Sequence, residues 1–379
     1  MKKFISKKIL AVKARIKSKL GLNVQIRNLG WNGQPKKRVL LSYLTDALKN
    51  DIAVFKYNTN RQECLVLVTS LIKQGYVVDV VDCTDNSFIS GIEYDYIIGF
   101  GVPFRTAKLE KNGKRILYCT EKHPEFSFKE EQKRIDYLYN RHGVKWGIQR
   151  SGRYYLEVDY TLADEFVVMG QKTAAFIKEK YKLPSSLLHC IEPTAINVES
   201  ISAMKSQRGF LWLGSSGVVH KGLDLLLESF LLADLECELH ICGAVEKDVS
   251  FLGAALGDPR IKFHGVIDIN SGLFNRILER VQYVVLPSCS EGVATSVLTG
   301  MGCGLIPLVT DACDIEAKGV GFKIESIDIE SIAGVLKLAF YQDDSSVKEL
   351  STNAIARVKN HNSISAFEGS IERIFKGVF

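Results

Sequence analysis

The chain has 379 residues, 46% of them hydrophobic and 24% charged, which predicts an ordinary globular protein of two domains rather than one. Its net charge is +6, but residues 1–20 hold eight Lys or Arg and no acid, so the rest sums to about −2. A nearly neutral body argues against nucleic-acid binding over a broad face. The nine cysteines are scattered, with no C-x-x-C pair and no Cys/His cluster at metal spacing, which suits reduced thiols in a cytosol rather than a disulfide framework. No apolar run approaches the roughly 18 residues of a membrane span.

The first segment, MKKFISKKILAVKARIKSKLG, is interrupted by Lys7, Lys8 and Lys13, which excludes a signal-peptide core. As a helix it puts Ile5, Ile9, Val12, Ile16 and Leu20 on one stripe amid Lys and Arg, the pattern of a helix lying on an anionic membrane surface. Residues 23–37 read as an irregular connector. Strands are then expected at 37–44, 76–81, 94–100, 115–119 and 165–169, with helices at 60–73, 128–140 and 171–181. Strands alternating with helices imply a parallel sheet, whose ligands sit at the carboxyl ends of strands. Three features occupy such ends: the loop 56–61 with Asn60 and Arg61; Gly99-Phe-Gly101-Val-Pro-Phe-Arg105; and Thr120-Glu-Lys-His123. His123 could bond a sugar hydroxyl or, if protonated, a leaving phosphate, and Arg105 reads equally as a surface charge or a ligand contact. Neither a G-x-G-x-x-G fingerprint nor a Walker loop is present: Phe104 stands in the third glycine's place, and Lys221 is flanked by His220 and Gly222.

Residues 192–208 have little apolar periodicity and read as a linker. A second α/β series starts at Gly209. The strand 210–213 leads into Gly214-Ser-Ser-Gly-Val-Val-His220-Lys221-Gly and a helix at 223–232; strands 238–242 and 261–264 end at Gly243 and Gly265. Lys221, at the helix start, is a natural counter-charge for a diphosphate. The stretch Ser288–Thr310, SCSEGVATSVLTGMGCGLIPLVT, follows the apolar strand 281–286 and forms a loop, a helix from about Ala294, and another strand. A loop and helix N-terminus at the end of a strand suit an anion. Glu291 beside them would repel a phosphate but could accept bonds from sugar hydroxyls, so a ligand carrying both groups fits. The last segment, 364–379, reads as an amphipathic helix with Phe367, Ile371 and Phe375 in step.

GSSGVVHKGLDLLLESF, ELHICG, IKFHGVI and VVLPSCSEGVATSVLTGMGCGLIPLVT, in this order and spacing, resemble the donor-binding domain of family-four glycosyltransferases. The resemblance is specific over about 209–323, looser over 37–195, and absent over 1–35. It implies an α/β GT-B fold: two facing Rossmann-like domains with parallel sheets, and a C-terminal helix crossing back to the first. The expected divisions are a leader and connector (1–35), an acceptor-side domain (36–195), a linker (196–208), a nucleotide-sugar domain (209–358) and the crossing helix (359–379). The resemblance further implies that Lys221 binds the donor diphosphate, Glu291 the sugar, and the backbone of Gly292, Val293, Ala294 and Thr295 both. Gly214, Ser215, Ser216, His220 and Ser290 would complete this donor site, with Gly243 and Gly265 near the nucleoside and Thr299 near the ribose. His123 would align the sugar; Asn60, Arg61 and Arg105 would lie on the acceptor side. Two positions depart from the family: Thr299 replaces the second Glu of its paired-Glu motif, and Ser215 replaces an Arg, for which His220 is a candidate substitute.

The implied reaction is retaining transfer from a nucleotide sugar to a glycan or lipid-linked acceptor, in surface polysaccharide synthesis, at the inner face of the plasma membrane. No Asp-x-Asp is present, so no metal and no cofactor are expected. The departures at Ser215 and Thr299 keep open a non-catalytic nucleotide-sugar-binding subunit, and a GT-B enzyme of another reaction, such as a nucleotide-sugar epimerase, is a separate alternative.

Overall fold

A computed structural model describes residues 25–48, 59–196, 207–246 and 249–378. The basic leader 1–20 and most of the expected linker lie outside these residues, as does the first part of the loop 56–61. Among the described residues, no helix is long and apolar enough to cross a membrane.

The first sheet has seven strands: β1 (Ile26–Leu29), β2 (Arg38–Tyr43), β3 (Val77–Asp82), β4 (Glu93–Gly99), β5 (Lys108–Cys119), β6 (Glu165–Met169) and β7 (Leu188–Ile191). Their order is β1-β3-β2-β4-β5-β6-β7, and every pairing is parallel except that of β1 with β3. Val39–Tyr43 and Val77–Val81 are buried without interruption, as expected where helices cover both faces of a parallel sheet. Those helices are α1 (Thr59–Lys73), α2 (Gly101–Thr106), α3 (Pro124–His142), α4 (Glu157–Leu162) and α5 (Gln171–Tyr181).

The second sheet has six strands, all parallel: β8 (Gly209–Leu213), β9 (Leu239–Cys242), β10 (Ile261–Gly265), β11 (Val281–Leu286), β12 (Ile306–Thr310) and β13 (Phe322–Ile324), in the order β10-β9-β8-β11-β12-β13. Its helices are α6 (Leu223–Ala233), α7 (Gly253–Leu256), α8 (Gly272–Leu278), α9 (Thr295–Gly302), α10 (Ile329–Phe340) and α11 (Asp344–His361). The last helix, α12 (Ile364–Val378), buries Phe367, Ile371, Phe375 and Val378 and returns to the first domain. There Lys73 of α1 pairs with Glu368 at 2.5 Å, and Lys114 Nζ reaches Val378 O at 3.3 Å.

Two local expectations need correction. Part of the connector 23–37 is a strand: β1 has only four residues and an interior Asn28 at φ 62, too short a signal to read by period. It is fastened by Asp79, whose carboxylate accepts from Asn28 N at 2.7 Å. The 99–105 stretch is not an open glycine loop: it ends β4 and forms most of α2. A Cβ on Gly99 would lie 2.0 Å from Ser42 O, and one on Gly101 2.2 Å from Cys83 O, so these glycines let the chain pass its neighbours.

The two domains meet face to face at the carboxyl ends of their sheets. Lys122, just past β5, is buried against Asp314, just past β12, at 2.7 Å. Ser127 of α3 shares a hydrogen bond with Ser290 at 2.7 Å. Further out, Arg134 and Arg141 of α3 take the two oxygens of Asp224 on α6, at 2.8 and 2.5 Å.

Candidate functional site

The site forms where the exits of β8 and β11 face the exit of β5. Pro287 ends β11, and the loop that follows is tied down on both sides. Thr310 Oγ1 donates to Ser288 O at 2.6 Å, Glu291 N to Ala312 O at 3.2 Å, and Ala294 N to Cys313 O at 3.0 Å. Glu291 is thereby fixed at the cleft, only 6% exposed. Lys221 Nζ lies 2.6 Å from Glu291 Oε1, and the Ser288 hydroxyl lies 3.0 Å from the same oxygen. Burial alone would raise the Glu291 pKa; the charges of Lys221 and Arg150 outweigh it and hold the carboxyl at about 2.

Across the cleft, the first domain contributes residues that the sequence reading did not single out. Arg150 Nη2 is 3.2 Å from Glu121 Oε1 and 4.0 Å from Glu291 Oε2. Burial raises the Glu121 pKa, opposed by Arg150 and reinforced by Glu291. A cavity of about 460 Å³ opens beside this cluster. Gln149, Arg150 and Arg153 line it from the first domain; Ser215, Ser216, His220, Lys221 and Glu246 line it from the second. The available signal was Gly147-Ile-Gln-Arg-Ser-Gly-Arg153, a run with two cations and two glycines but no apolar period.

The loop after β8 belongs to the cavity wall. Val218 N donates to Glu246 Oε2 at 3.1 Å, and Ala244 N to Ser215 O at 2.9 Å. Gly214, Gly243 and Gly265 stand together at the ends of β8, β9 and β10, joined by Gly214 N to Cys242 O at 2.9 Å and Gly243 N to Gly265 O at 2.8 Å. His220 is 7% exposed, and burial with the neighbouring Lys221 lowers its pKa to about 4. It is neutral near pH 7, and its Nδ1 is buried with no partner among the described residues. In the free protein it therefore adds no positive charge to the cavity near pH 7.

Several expected contacts are not assembled here. His123 caps α3: its Nδ1 accepts from Glu125 N at 3.2 Å, and its Nε2 bonds Tyr181 Oη at 2.8 Å. The ring packs on Tyr160 and Phe176, so both nitrogens are used inside the first domain rather than presented to a sugar. Arg105 spends its fork on Asp159, at 2.5 and 3.0 Å. Arg61 pairs with Asp46 at 2.5 Å, and Asn60 is exposed at the start of α1. Thr299 is buried, and its hydroxyl donates to Thr295 O one turn back at 2.9 Å. Ser290 is occupied by Ser127, and Gly292 faces the first domain: a Cβ there would lie 1.9 Å from Thr120 O.

Two parallel-sheet Rossmann-like domains with a helix returning to the first define the GT-B fold. Residues 207–338, most of the second domain, match the model of the family described as glycosyl transferases, group 1. Solved structures agree on the fold. Sucrose-phosphate synthase from Thermosynechococcus elongatus is 12% identical with a TM-score of 0.62, over 91% of this chain and 99% of its own. Anabaena HepE, in complex with UDP and glucose, is 13% identical with a TM-score of 0.56, over 90% and 100%. A point mutant of S. aureus TarM, in complex with fondaparinux, alpha-GlcNAc-glycerol and UDP, is 16% identical with a TM-score of 0.55, over 74% of this chain. This chain spans only 55% of TarM's length. No curated protein sequence matches the chain.

Proposed function

We propose that the protein is a retaining glycosyltransferase that moves a sugar from a nucleotide-sugar donor to a glycan or lipid-linked acceptor. The observation that carries this reading is the Lys221–Glu291 pair, 2.6 Å apart, whose lysine lines a polar interdomain cavity. On arrival of the donor, Lys221 exchanges a carboxylate for the diphosphate. Glu291, ionised down to about pH 2, is then free to accept from sugar hydroxyls. The reaction is a front-face transfer. The bond from the anomeric carbon to the diphosphate oxygen breaks, the acceptor oxygen bonds the same face of that carbon, and the acceptor proton passes to the departing diphosphate. The protein supplies position and charge stabilisation rather than a nucleophile. We assign the acceptor to the first domain and the work to surface polysaccharide synthesis at the cytoplasmic face of the membrane, without a divalent cation.

Calorimetry with UDP, GDP, ADP and CMP, with and without EDTA, tests the donor site. UDP comes first, because HepE and TarM hold it. One nucleotide should bind without metal and lose affinity in Lys221→Ala; binding of none overturns the reading. Product analysis separates transfer from nucleotide-sugar epimerisation. The back-bonded Thr299 favours a second reading, a subunit that binds the nucleotide sugar without transferring it. Nucleotide binding with no transfer or donor hydrolysis would support that instead. Deleting residues 1–20 should weaken binding to anionic vesicles; unchanged binding removes the membrane assignment.

A further inference from the structure

Resting on the nucleotide-sugar reading above, we propose that Arg150 of the first domain supplies the second cationic contact to the donor's diphosphate, so that the ligand clamps both domains. Within the second domain, the charges at the cavity do not suffice for such a ligand. Lys221 is matched by Glu291 at 2.6 Å, Glu246 adds a negative charge, and Ser215 and Ser216 add none. His220 is neutral near pH 7. The further cations on the wall, Arg150 and Arg153, both come from the opposite domain.

Arg150 is also held in place for such a contact. The buried Glu131 carboxylate on α3 accepts from Gln149 N at 2.7 Å and from Arg150 N at 3.0 Å. Ser151 Oγ donates to Pro124 O at 2.7 Å. The backbone at Arg150 is thus anchored to the first turns of α3, while its guanidinium points across the cleft. That side chain keeps 24% exposure and sits 3.2 Å from Glu121 and 4.0 Å from Glu291. A guanidinium has five donors in a planar fork, so it can hold Glu121 and still offer a bidentate edge to a phosphate. Lys221 and Arg150 would then grip the diphosphate from opposite domains, and its loss after transfer would release that grip.

The test is calorimetric titration of UDP and of inorganic pyrophosphate into wild type, R150A, R150K, K221A and E121Q. Pyrophosphate reports the phosphate subsite whatever base the donor carries. R150A should weaken both probes roughly 10- to 100-fold, the range of a charged hydrogen bond, and R150K should weaken them less. E121Q, which frees the guanidinium, should bind at least as tightly as wild type. If Arg150 served only to neutralise Glu121, adding R150A to E121Q would cost no further affinity for either probe, and that result overturns the proposal. UDP binding to R150A within twofold of wild type, while K221A loses it, also overturns the proposal and leaves the glycosyltransferase reading standing. Pyrophosphate binding that depends on Arg150, with no nucleotide bound, supports the clamp and overturns the donor reading. Should R150A fail to fold, R150K decides: affinity equal to wild type refutes the fork.

Discussion

Two ion clusters join the domains, and they are built from the same kinds of side chain to opposite ends. On α3 and α6, both oxygens of the fully buried Asp224 are taken by guanidiniums, those of Arg134 and Arg141, and Glu228 pairs with Arg141 beside it. At the cleft, Lys221, Arg150, Glu121 and Glu291 are also balanced in charge, but more loosely, at 2.6, 3.2 and 4.0 Å, with a cavity of about 460 Å³ alongside. The first cluster is closed around Asp224; Arg134 also donates to Val219 O at 3.1 Å, and His142 lies 2.8 Å from Glu228. On the reading proposed above, the second exchanges its Lys221–Glu291 contact for diphosphate oxygens at Lys221 and sugar hydroxyls at Glu291. A cluster's access to a cavity, rather than its composition, separates a fastening from a binding site.

Breaking the fastening should give the largest change in stability. Asp224→Ala leaves Arg134, its side chain 3% exposed, without an anion, and Arg141, 11% exposed, with Glu228 alone. Removing one partner of a buried pair costs about 3–5 kcal/mol, so the urea midpoint should fall accordingly. Glu291→Ala should invert the profile. The cavity gives Lys221 water in place of the carboxylate, so the stability loss should be under half that of Asp224→Ala. Sugar transfer, by contrast, should fall roughly 10²- to 10³-fold, as when one positioned polar contact to the reacting group is removed. A transfer assay beside a urea titration reads both. Similar stability losses in the two variants would erase the distinction between the clusters.

Gly292→Ala probes the space between them. The added methyl would meet Thr120 O at 1.9 Å and the Glu121 Cα at 3.1 Å, backbone atoms of the other domain that cannot rotate away. The domains must separate, at about 1–3 kcal/mol for overpacking. Small-angle scattering should show a larger radius, and UDP should bind more weakly. An unchanged radius with full affinity would mean that the loop yields instead.

The second domain was legible because its chemistry lies in local runs. The strand Val281–Leu286, the loop bearing Glu291 and the helix from Thr295 are consecutive, as are the loop bearing Lys221 and the helix after it. In the first domain five of the seven strands and the main helices were legible, but not the site. Arg150 and Glu121 are 29 positions apart in sequence and meet only because Glu131 fastens the loop 149–151 to α3. His123 misled for a related reason. A histidine before a proline at a strand end reads as a site residue, yet it serves as the cap of a 19-residue helix. The cap itself is local, His123 Nδ1 to Glu125 N with Pro124 opening the helix, but the Tyr181 bond that occupies Nε2 and the Arg105–Asp159 fork depend on partners brought in from α5 and α4.

A third buried ionisable group sharpens the contrast, since it has no cation at all. Glu63 of α1 is fully buried; its Oε1 accepts from Thr194 N at 3.0 Å and lies 3.2 Å from Thr194 Oγ1, while Oε2 has no partner. Burial raises its pKa to about 8, against which the two Thr194 contacts pull downward. Near pH 7 the folded chain keeps this proton, whereas the unfolded carboxyl, near 4.5, has lost it. Between these values the native state binds more protons, so stability must fall as pH rises from about 4.5 to about 8, by at most about 1.4 kcal/mol per pH unit. Glu63→Gln keeps the shape and the acceptor to Thr194 but cannot ionise. Its melting temperature should therefore lose this slope and gain on wild type steadily from pH 5 to pH 8. Parallel curves for the two proteins would mean that Glu63 is charged in the fold and that burial without a cation does not hold its proton.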